Sequence, residues 1–351
     1  MTESSASFHG SPHPDFRREA QYFHDHRVYS LQLEINQACP QGCLYCYASC
    51  SDPPEKELDI RVIRRLLKEA VGLGIPAIDW LGGDPLLRDG WEDLLEYAAG
   101  LGLVNNIWTS GMPLSDVDAA RNAVRLTGGG FISVHLDSLD PALYRMLHAG
   151  RADAKIEAIL TGVENVLESG KNPGEMLNCI TFTRPLAGKD VVETMQYFQE
   201  RGIRTCLTQL SPAGSAMDHP EWIPAPSQIR EACAARDRLN YQGSTIGSIG
   251  PMDVNKFYCR GIVCVTVDGD VTPCSVIRKG FGNIHARSLG EVIRDHRDPL
   301  LFLGLSTGDP DCRGCPDERL CWGCRATAYY ATGELLGKDP CCWRQNGEGE
   351  I

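Results

Sequence analysis

Six short apolar runs alternate with amphipathic helical patterns across residues 31–210, and this alternation constrains the fold more than any other feature. Parallel neighbouring strands need crossover connections, which are usually helical. The pattern therefore predicts an α/β fold with a parallel sheet, either an open barrel or a doubly wound sheet. The predicted strands are Leu31–Asn36, Ala77–Leu81, Val104–Thr109, Phe131–Leu136, Leu177–Thr183 and Arg204–Leu210.

The helical patterns fall between these strands. In 58–71, apolar residues recur at helical spacing while Arg, Lys and Glu take the other face. Further patterns cover 91–99, 115–126, 155–168 and 191–201. In either architecture, ligands bind beyond the carboxyl ends of the strands, so the loops there are the candidate sites. The pattern changes after about residue 215, and a boundary is expected between Gly214 and Gly250.

The chain has sixteen cysteines, and whether they form disulfides or bind metal depends on the cellular compartment. The chain has no run of 18 apolar residues and no apolar signal-peptide core, so we expect a cytoplasmic protein without a membrane segment. Thiols stay reduced there, which favours metal or cluster ligation over disulfides. The net charge of −12 without a dense basic run argues against a nucleic-acid partner.

Cys39, Cys43 and Cys46 follow the first predicted strand, with three and then two residues between them. Three thiolates leave one iron of a 4Fe-4S cluster open to a non-protein ligand. A structural zinc site needs four ligands, and Cys50 is close enough in sequence to be the fourth. The cluster is the preferred interpretation, with zinc kept as the alternative.

A second cysteine-rich segment occupies the C-terminal hundred residues. Its spacing is compatible with a zinc ribbon as well as with iron-sulfur ligation. It contains Cys259, Cys264, Cys274, Cys312, Cys315, Cys321, Cys324, Cys341 and Cys342.

The CxxxCxxC run, with Tyr45 before its third cysteine, resembles the signature of the radical S-adenosylmethionine (SAM) superfamily. The resemblance implies a partial (β/α)6 TIM-type barrel, with Cys39, Cys43 and Cys46 as the catalytic cluster ligands. It also implies that SAM chelates the open iron and is cleaved reductively to a 5'-deoxyadenosyl radical, which abstracts hydrogen. The cofactor carries this chemistry, while the protein orients it and excludes water.

The resemblance extends to the loops after the later strands. Gly82-Gly83-Asp84-Pro85 resembles the family's GGEP loop with Asp for Glu, and 109–111 and 133–138 resemble its TNG and ISLDG segments. Each short motif also has a plainer interpretation as a turn, a helix cap or an exposed helix residue. The SAM contacts implied are Tyr45, Gly82, Gly83, Asp84, Pro85, Ser110, Ser133, Asp137 and Arg145, and the 212–214 loop is expected to let the backbone approach the cofactor.

The C-terminal spacing, with Gly269 between Cys259 and Cys274, resembles the SPASM domain, which holds two auxiliary 4Fe-4S clusters. The resemblance implies one cluster on Cys259, Cys264, Cys274 and Cys324. It implies a second on Cys312, Cys315, Cys321 and either Cys341 or Cys342. With the SAM-binding cluster this makes three 4Fe-4S clusters. The predicted regions are a polar extension over 1–28, the barrel over 29–240 and the SPASM domain over 250–351.

The place where sulfatase-maturating relatives carry a substrate base is occupied by Ser275. Asp253, Asp268 and Asp270 are the nearby acids that would take that role, and each also suits an exposed turn.

The resemblance implies a radical SAM oxidoreductase or maturase that acts on a peptide or a cofactor precursor and passes an electron to the auxiliary clusters. A haem or other small-molecule precursor is the alternative substrate. A non-catalytic electron carrier and a zinc-binding module are alternatives from other classes. Expected partners are a low-potential donor such as flavodoxin or ferredoxin and a separate peptide-recognition protein, since roughly 30 residues before the first strand are too few for such a domain.

Overall fold

The computed structural model describes residues 16–51, 56–240, 256–304, 315 and 321–343. Eight strands form one sheet in the order β6-β5-β4-β3-β2-β1-β7-β8. Neighbours from β6 to β7 pair in parallel, and β8 pairs antiparallel to β7. The strands are β1 (Ser30–Glu34), β2 (Ala77–Leu81), β3 (Val104–Trp108), β4 (Ile132–Val134), β5 (Met176–Phe182), β6 (Arg204–Gln209), β7 (Ile262–Val265) and β8 (Val271–Thr272).

Helices connect the parallel strands as the sequence pattern predicts. The first group is α1 (Phe16–His24), α2 (Ile60–Gly72), α3 (Trp91–Gly100), α4 (Val117–Leu126), α5 (Pro141–Leu147), α6 (Ala152–Glu168), α7 (Lys189–Gln199) and α8 (Pro226–Asn240). The second group is α9 (Lys256–Gly261), α10 (Leu289–Asp295), α11 (Arg297–Leu300) and α12 (Arg325–Thr332). Among the residues described, no helix has both the length and the apolar character needed to cross a membrane.

Alternation along β1 shows how the sheet separates its two faces. Leu31 and Leu33 are fully buried and belong to the main apolar core, which they share with residues of α2 such as Ile63. The intervening Gln32 faces a cavity on the opposite side of the sheet. Both faces are covered, as is usual for parallel sheets. The polar residues of the strand therefore mark the functional side.

The six predicted barrel strands are all present, and the α/β fold with a parallel sheet is confirmed. The structure adds one feature that the pattern did not predict. Strand β7, which comes from the C-terminal segment, pairs in parallel with β1 along Ser30–Leu33. The cysteine-rich segment thus extends the same sheet rather than standing apart from it. The helix α8 occupies part of the region where a boundary was expected and packs on α7 and β6.

Candidate active site

A cavity of about 270 Å³ lies inside the curve of the sheet. Residues from both ends of the sheet line it, which requires the sheet to curl around it. Ligand sites at the carboxyl ends of parallel strands are the rule for such folds. The strands β1 to β6 contribute Gln32, Leu81, Trp108, Ser133, Cys179 and Thr208 in turn.

The loop after β1 places Cys39, Cys43 and Cys46 on the wall of this cavity. Backbone hydrogen bonds hold the loop at several points. The Cys39 amide donates to the Ser51 carbonyl at 3.1 Å, and the Cys46 amide donates to the Cys43 carbonyl at 3.2 Å. The Leu44 amide donates to the carbonyl of Leu147, at the end of α5, at 2.9 Å. These bonds hold the backbone that carries the three cysteines.

The electrostatics of these thiols fit a positively charged group. Burial raises the pKa of Cys39 to about 12, and the nearby Asp84 carboxylate adds to the rise. Burial also raises the pKa of Cys43 well above its ordinary value, with a further contribution from Cys39. Thiolates gathered in such a site need a cation to stabilise them, and iron in a cluster is one that thiolates bind. The donor set therefore fits a three-cysteine iron-sulfur cluster.

Cys50 lines the same cavity and lies against Cys46. Its amide nitrogen is 3.5 Å from the Cys46 sulfur, and its own sulfur lies 3.7 Å from the Gly82 carbonyl oxygen. The hydrogen bond from the Cys50 thiol lowers the pKa of Cys46 to about 6. In this arrangement Cys50 donates hydrogen bonds to a predicted ligand.

Two glycine-containing loops pack backbone to backbone against the cysteine loop. A Cβ at Gly83 would lie 2.1 Å from the Ala38 carbonyl oxygen, and one at Gly214 would lie 2.5 Å from the Cys46 carbonyl oxygen. Gly82 and Gly83 also line the cavity. The loop at 212–214 was expected to approach a cofactor, but Gly214 contacts the cysteine loop, and the Ser215 amide donates to the Cys46 carbonyl at 2.9 Å.

The predicted SAM contact Asp84 is buried, and its oxygens already have partners. One oxygen accepts from the Thr109 hydroxyl at 2.7 Å and from the Ser110 amide and hydroxyl at 2.9 and 2.5 Å. The other accepts from the Leu86 amide at 3.1 Å. Burial raises the pKa of this carboxyl, although its hydrogen bonds with Ser110 and Thr109 oppose the rise. Asp84 thus joins the loops after β2 and β3, while the neighbouring Ser110 lines the cavity.

Tyr45 lines the cavity and belongs to a buried polar cluster behind Cys43. Its hydroxyl donates to Asp137 and lies 2.9 Å from Nε2 of His135 and 3.2 Å from Nε2 of His148. Burial opposes ionisation of Asp137, but the two histidines outweigh it and hold its pKa below the usual range. Burial lowers the pKa of His135, but Asp137 outweighs this effect and raises it to about 9.

This cluster changes the predicted role of one residue and adds two others. Asp137 does not line the cavity among the described residues but lies behind Tyr45 and His135. His135 and His148 were not among the site residues predicted from the sequence. His135 could have been predicted as a site residue, because it lies in the segment after β4 that resembles a SAM-binding segment. Ligand atoms of His148, His135 and Cys43 all lie within 4.8 Å of one another, a spacing that suits a metal ion.

The remaining predicted SAM contacts divide into two groups. Ser133 lines the cavity, and its buried hydroxyl has no hydrogen-bond partner within the described part of the chain. A bound ligand would satisfy this hydroxyl. Pro85 begins the 3-10 turn after Asp84 and is buried there. Arg145 is placed away from the cavity, because it lies on the exposed face of α5. The structure therefore does not support the expected contact between Arg145 and SAM.

Three cysteines of the C-terminal segment reach the same cavity: Cys259, Cys274 and Cys324. Burial raises the pKa of Cys259 well above its ordinary value, and Cys274 and Cys324 add to the rise, so the three thiols interact electrostatically. The fourth predicted member, Cys264, is buried on β7 and interacts electrostatically with Glu34 and Cys274. The four residues predicted to hold one cluster are thus gathered beside β1.

The second predicted group is described only in part. Cys312 lies outside the described residues, and Cys315 is described without its neighbours. Cys321 lies close enough to Cys259 to raise its pKa. Cys341 is buried and interacts with Cys324 and Cys342, so the choice between Cys341 and Cys342 remains a prediction.

A buried carboxylate supports this region. Asp339 accepts from the Cys324 amide at 2.7 Å and from the Cys341 amide at 3.0 Å. The Thr327 hydroxyl donates to it at 2.9 Å, and the Gln209 amide, at the end of β6, approaches it to 3.4 Å. Asp339 therefore connects the cysteine segment to the barrel wall. Nothing in its sequence context indicated this role.

The acids proposed as a substrate base do not reach the cavity in the described part of the chain. Asp268 pairs with Lys56 at 2.7 Å near the surface. Asp270 accepts from Asn283 at 2.9 Å, and Asp253 lies outside the described residues. Ser275 lines the cavity, and its amide donates to Gln32 at 3.1 Å.

The fold is a parallel α/β sheet with a three-cysteine loop after its first strand, and further cysteines line the same cavity. This combination is typical of an iron-sulfur enzyme. Comparison with protein families makes this specific. Residues 33–198 match the radical SAM superfamily, and residues 257–316 match SPASM, an iron-sulfur cluster-binding domain. The chain belongs to the radical SAM superfamily, carries a SPASM domain and is a radical SAM enzyme.

Curated relatives and solved structures agree with this assignment. The chain is 24% identical to a "Probable GTP 3',8-cyclase" of Methanosarcina mazei over 81% of this chain and 87% of the relative. It is 23% identical to a PqqA peptide cyclase of Xanthomonas axonopodis pv. citri over 90% of this chain and 87% of the relative.

Two solved structures share the fold at low sequence identity. Streptococcus suis SuiB bound to the precursor peptide SuiA has a TM-score of 0.66 at 16% identity, covering 93% of this chain and 79% of that one. The anSMEcpe enzyme with bound AdoMet and the Cp18Cys peptide has a TM-score of 0.67 at 16% identity, covering 89% of this chain and 93% of that one.

Proposed function

We propose that this enzyme removes a hydrogen atom from a peptide or a peptide-derived cofactor precursor and passes the remaining electron to an auxiliary cluster. One observation carries the proposal. The same cavity is lined by Cys39, Cys43 and Cys46 and by the C-terminal Cys259, Cys274 and Cys324. A substrate held there would lie between the site that starts the radical reaction and the site that accepts the electron.

The residues of the first site have separate roles in this proposal. Cys39, Cys43 and Cys46 would hold a 4Fe-4S cluster, which when bound supplies the electron that cleaves SAM to a 5'-deoxyadenosyl radical. The Ser133 and Ser110 hydroxyls and the backbone of Gly82 and Gly83 would bind SAM polar groups from the adjoining wall. Asp84 acts as a positioning residue, because it orients Ser110.

The second site is proposed on the C-terminal cysteines. Cys259, Cys264, Cys274 and Cys324 would complete the coordination of one auxiliary cluster. A fully cysteine-ligated cluster is suited to electron transfer rather than to substrate binding at an open iron. Cys312, Cys315, Cys321 and Cys341 or Cys342 are proposed to hold the other.

A GTP-like small molecule is the second candidate substrate, because curated GTP 3',8-cyclases match the chain as well. The cavity favours the peptide. Of the lysines and arginines in the described part of the chain, Arg325 alone lines the cavity. Its guanidinium donates to the carbonyls of Gly337, at 2.9 Å, and Trp322. A triphosphate would therefore find little free positive charge here.

The proposed partners follow from this chemistry. A low-potential flavodoxin or ferredoxin is proposed to reduce the SAM-binding cluster. A separate recognition protein is proposed to deliver the peptide. The SuiB structure, which contains a precursor peptide, supports the peptide class of substrate.

Anaerobic turnover tests the first site. Protein with reconstituted clusters, given dithionite and SAM, is expected to produce 5'-deoxyadenosine, and Cys43→Ala is expected to produce none because one iron ligand is missing. Cys233→Ala, a buried thiol on α8, is the matched control and is expected to retain production. A Cys43→Ala protein that still forms 5'-deoxyadenosine would contradict the assignment.

Iron analysis tests the cluster number. Three clusters imply about twelve irons per chain by the four-iron formula. Cys274→Ala is expected to lower the iron content while 5'-deoxyadenosine production continues, since the first cluster remains. Fewer than about eight irons per chain in the wild type would exclude three clusters.

A further inference from the structure

Two neighbouring thiols, one of which lines the cavity, belong to none of the three predicted sets of cluster ligands. Cys179 on β5 and Cys206 on β6 are register partners in adjacent parallel strands. Their side chains are hydrogen-bonded, and this bond lowers the pKa of Cys179. Cys179 lines the cavity, and Cys206 is buried behind it.

Strand alternation shows that this orientation is not ordinary core packing. Cys179 and Thr181 line the cavity, whereas Ile180 between them belongs to an apolar cluster on the other face. Thr208, two residues after Cys206, also lines the cavity, and its hydroxyl lies 3.9 Å from the Cys179 sulfur. Side chains two apart on a strand share a face, so Cys206 points to the cavity side as well.

Cys179 lies close to the SAM-binding side of the cavity. Cys179, His135 and Cys46 all line this cavity. The thiol pair therefore shares the cavity with the loop that would hold the first cluster. A carbon radical formed in this cavity would have a thiol within its enclosure.

We infer that Cys179 is a hydrogen-atom donor that returns a hydrogen to a carbon-centred radical in the cavity. The inference rests on the proposed function, which supplies the radical. The S–H bond of a thiol is weaker than an alkyl C–H bond, so the transfer is downhill. The Cys179 S–H bond breaks homolytically, a C–H bond forms, and a thiyl radical remains on Cys179.

Cys206 assists the recovery of the donor. The thiyl radical takes one electron from a reduced 4Fe-4S cluster and becomes a thiolate. The Cys206 S–H group donates a hydrogen bond to that thiolate, as the lowered pKa of Cys179 indicates, and one proton from solvent restores the thiol. The enzyme then has a reductive way to end a radical in addition to the oxidative one.

An isotope experiment without substrate tests this role. Cluster-loaded protein is incubated with SAM and dithionite in D2O, without added thiols, and the 5'-deoxyadenosine is analysed by mass spectrometry. Cys179 exchanges to S–D, so the wild type is expected to yield product with one deuterium. Cys179→Ser is expected to lower the labelled fraction at least about tenfold, because the O–D bond is too strong to donate.

Control variants separate the possible donors. Cys233→Ala, whose thiol is buried on α8, is expected to give wild-type labelling. Cys179→Ala is a second variant that also lacks the thiol. The iron content and melting temperature of both Cys179 variants are measured, so that a folding defect in either one is detected.

The outcomes are distinguishable. Unlabelled 5'-deoxyadenosine from the wild type, or label that persists in both Cys179 variants, would overturn the inference. Label lost in Cys233→Ala and kept in Cys179→Ser would assign the donor elsewhere and overturn it too. If the wild type forms no 5'-deoxyadenosine, the proposed function itself fails and the inference fails with it.

Discussion

At the scale of single residues, several buried polar atoms of the cavity lining have no hydrogen-bond partner in the described part of the chain, among them Trp108 Nε1, Gln209 Oε1 and the Ser133 hydroxyl oxygen. The Ser133 hydroxyl has no hydrogen bond within the described part of the chain, although a buried hydroxyl is normally paired. In contrast, both carboxylate oxygens of Asp84 already accept hydrogen bonds, from Thr109, Ser110 and Leu86. A ligand therefore gains more from Ser133 than from the carboxylate that the sequence motif emphasises.

We predict that Ser133→Ala weakens SAM binding about 2- to 10-fold, since a neutral hydrogen bond contributes roughly 0.5–1.5 kcal/mol. The melting temperature without SAM is expected to stay the same, because no protein partner is lost. Equilibrium binding of SAM to the cluster-loaded protein measures the effect. Ser115→Ala on the protein surface is the control. Unchanged affinity in Ser133→Ala would show that SAM does not use this hydroxyl.

At the scale of elements, the active site depends on loops that touch through their backbones. The loop after β2 packs so closely on the loop after β1 that a Cβ at Gly83 would lie 2.1 Å from the Ala38 carbonyl oxygen. Backbone atoms cannot move aside as a flexible side chain can. The glycines of this motif therefore have a packing role that is separate from any contact with SAM.

We predict that Gly83→Ala lowers both the melting temperature and the iron content, because the two loops must separate and the cysteines lose their spacing. Gly100→Ala, at the end of α3 with open space around it, is expected to be neutral or to stabilise the protein by about 0.5–1 kcal/mol. Thermal melting and iron analysis measure both variants. Wild-type iron content in Gly83→Ala would refute this packing role.

At the scale of the whole molecule, a buried ion pair joins the barrel to the cysteine-rich segment. Glu34, at the end of β1, accepts from Arg278 at 2.6 Å and from the Val267 amide at 3.3 Å. Burial raises the pKa of Glu34, and Arg278 opposes the rise. Because β7 pairs with β1 in the same region, this ion pair helps to fix the second set of cysteines against the first.

We predict that Arg278→Met costs about 3–5 kcal/mol at pH 8, because it leaves a buried carboxylate without its partner. The loss of Arg278 raises the pKa of Glu34 further. The free-energy difference between the wild type and the variant is then largest where Glu34 is ionised, and it narrows as the pH falls and the variant's carboxyl is protonated. Denaturation midpoints at pH 8 and pH 5 measure this change.

The double variant Glu34→Gln/Arg278→Met is the control, since it removes both charges. It is expected to recover part of the lost stability and to lose most of the pH dependence. If Arg278→Met lowers the free energy of unfolding equally at both pH values, loss of the ion pair is not the cause of the destabilisation.

The sequence by itself determined the order of strands and helices and the spacing of the cysteines. Ala77–Leu81 was predicted at its observed bounds and the other five strands within two residues at each end, because local periodicity specifies an element and its buried face. The CxxxCxxC loop was also recognisable, because its ligands lie within a few residues of one another.

Only the tertiary structure decided where the side chains point and which distant segments meet. Arg145 lies on the exposed face of α5, and Asp84, in the loop predicted to bind SAM, directs its oxygens to Thr109 and Ser110. The pairing of β7 with β1 joins residues more than two hundred positions apart. Such contacts depend on the curvature of the sheet and the packing of its loops, which no local pattern contains.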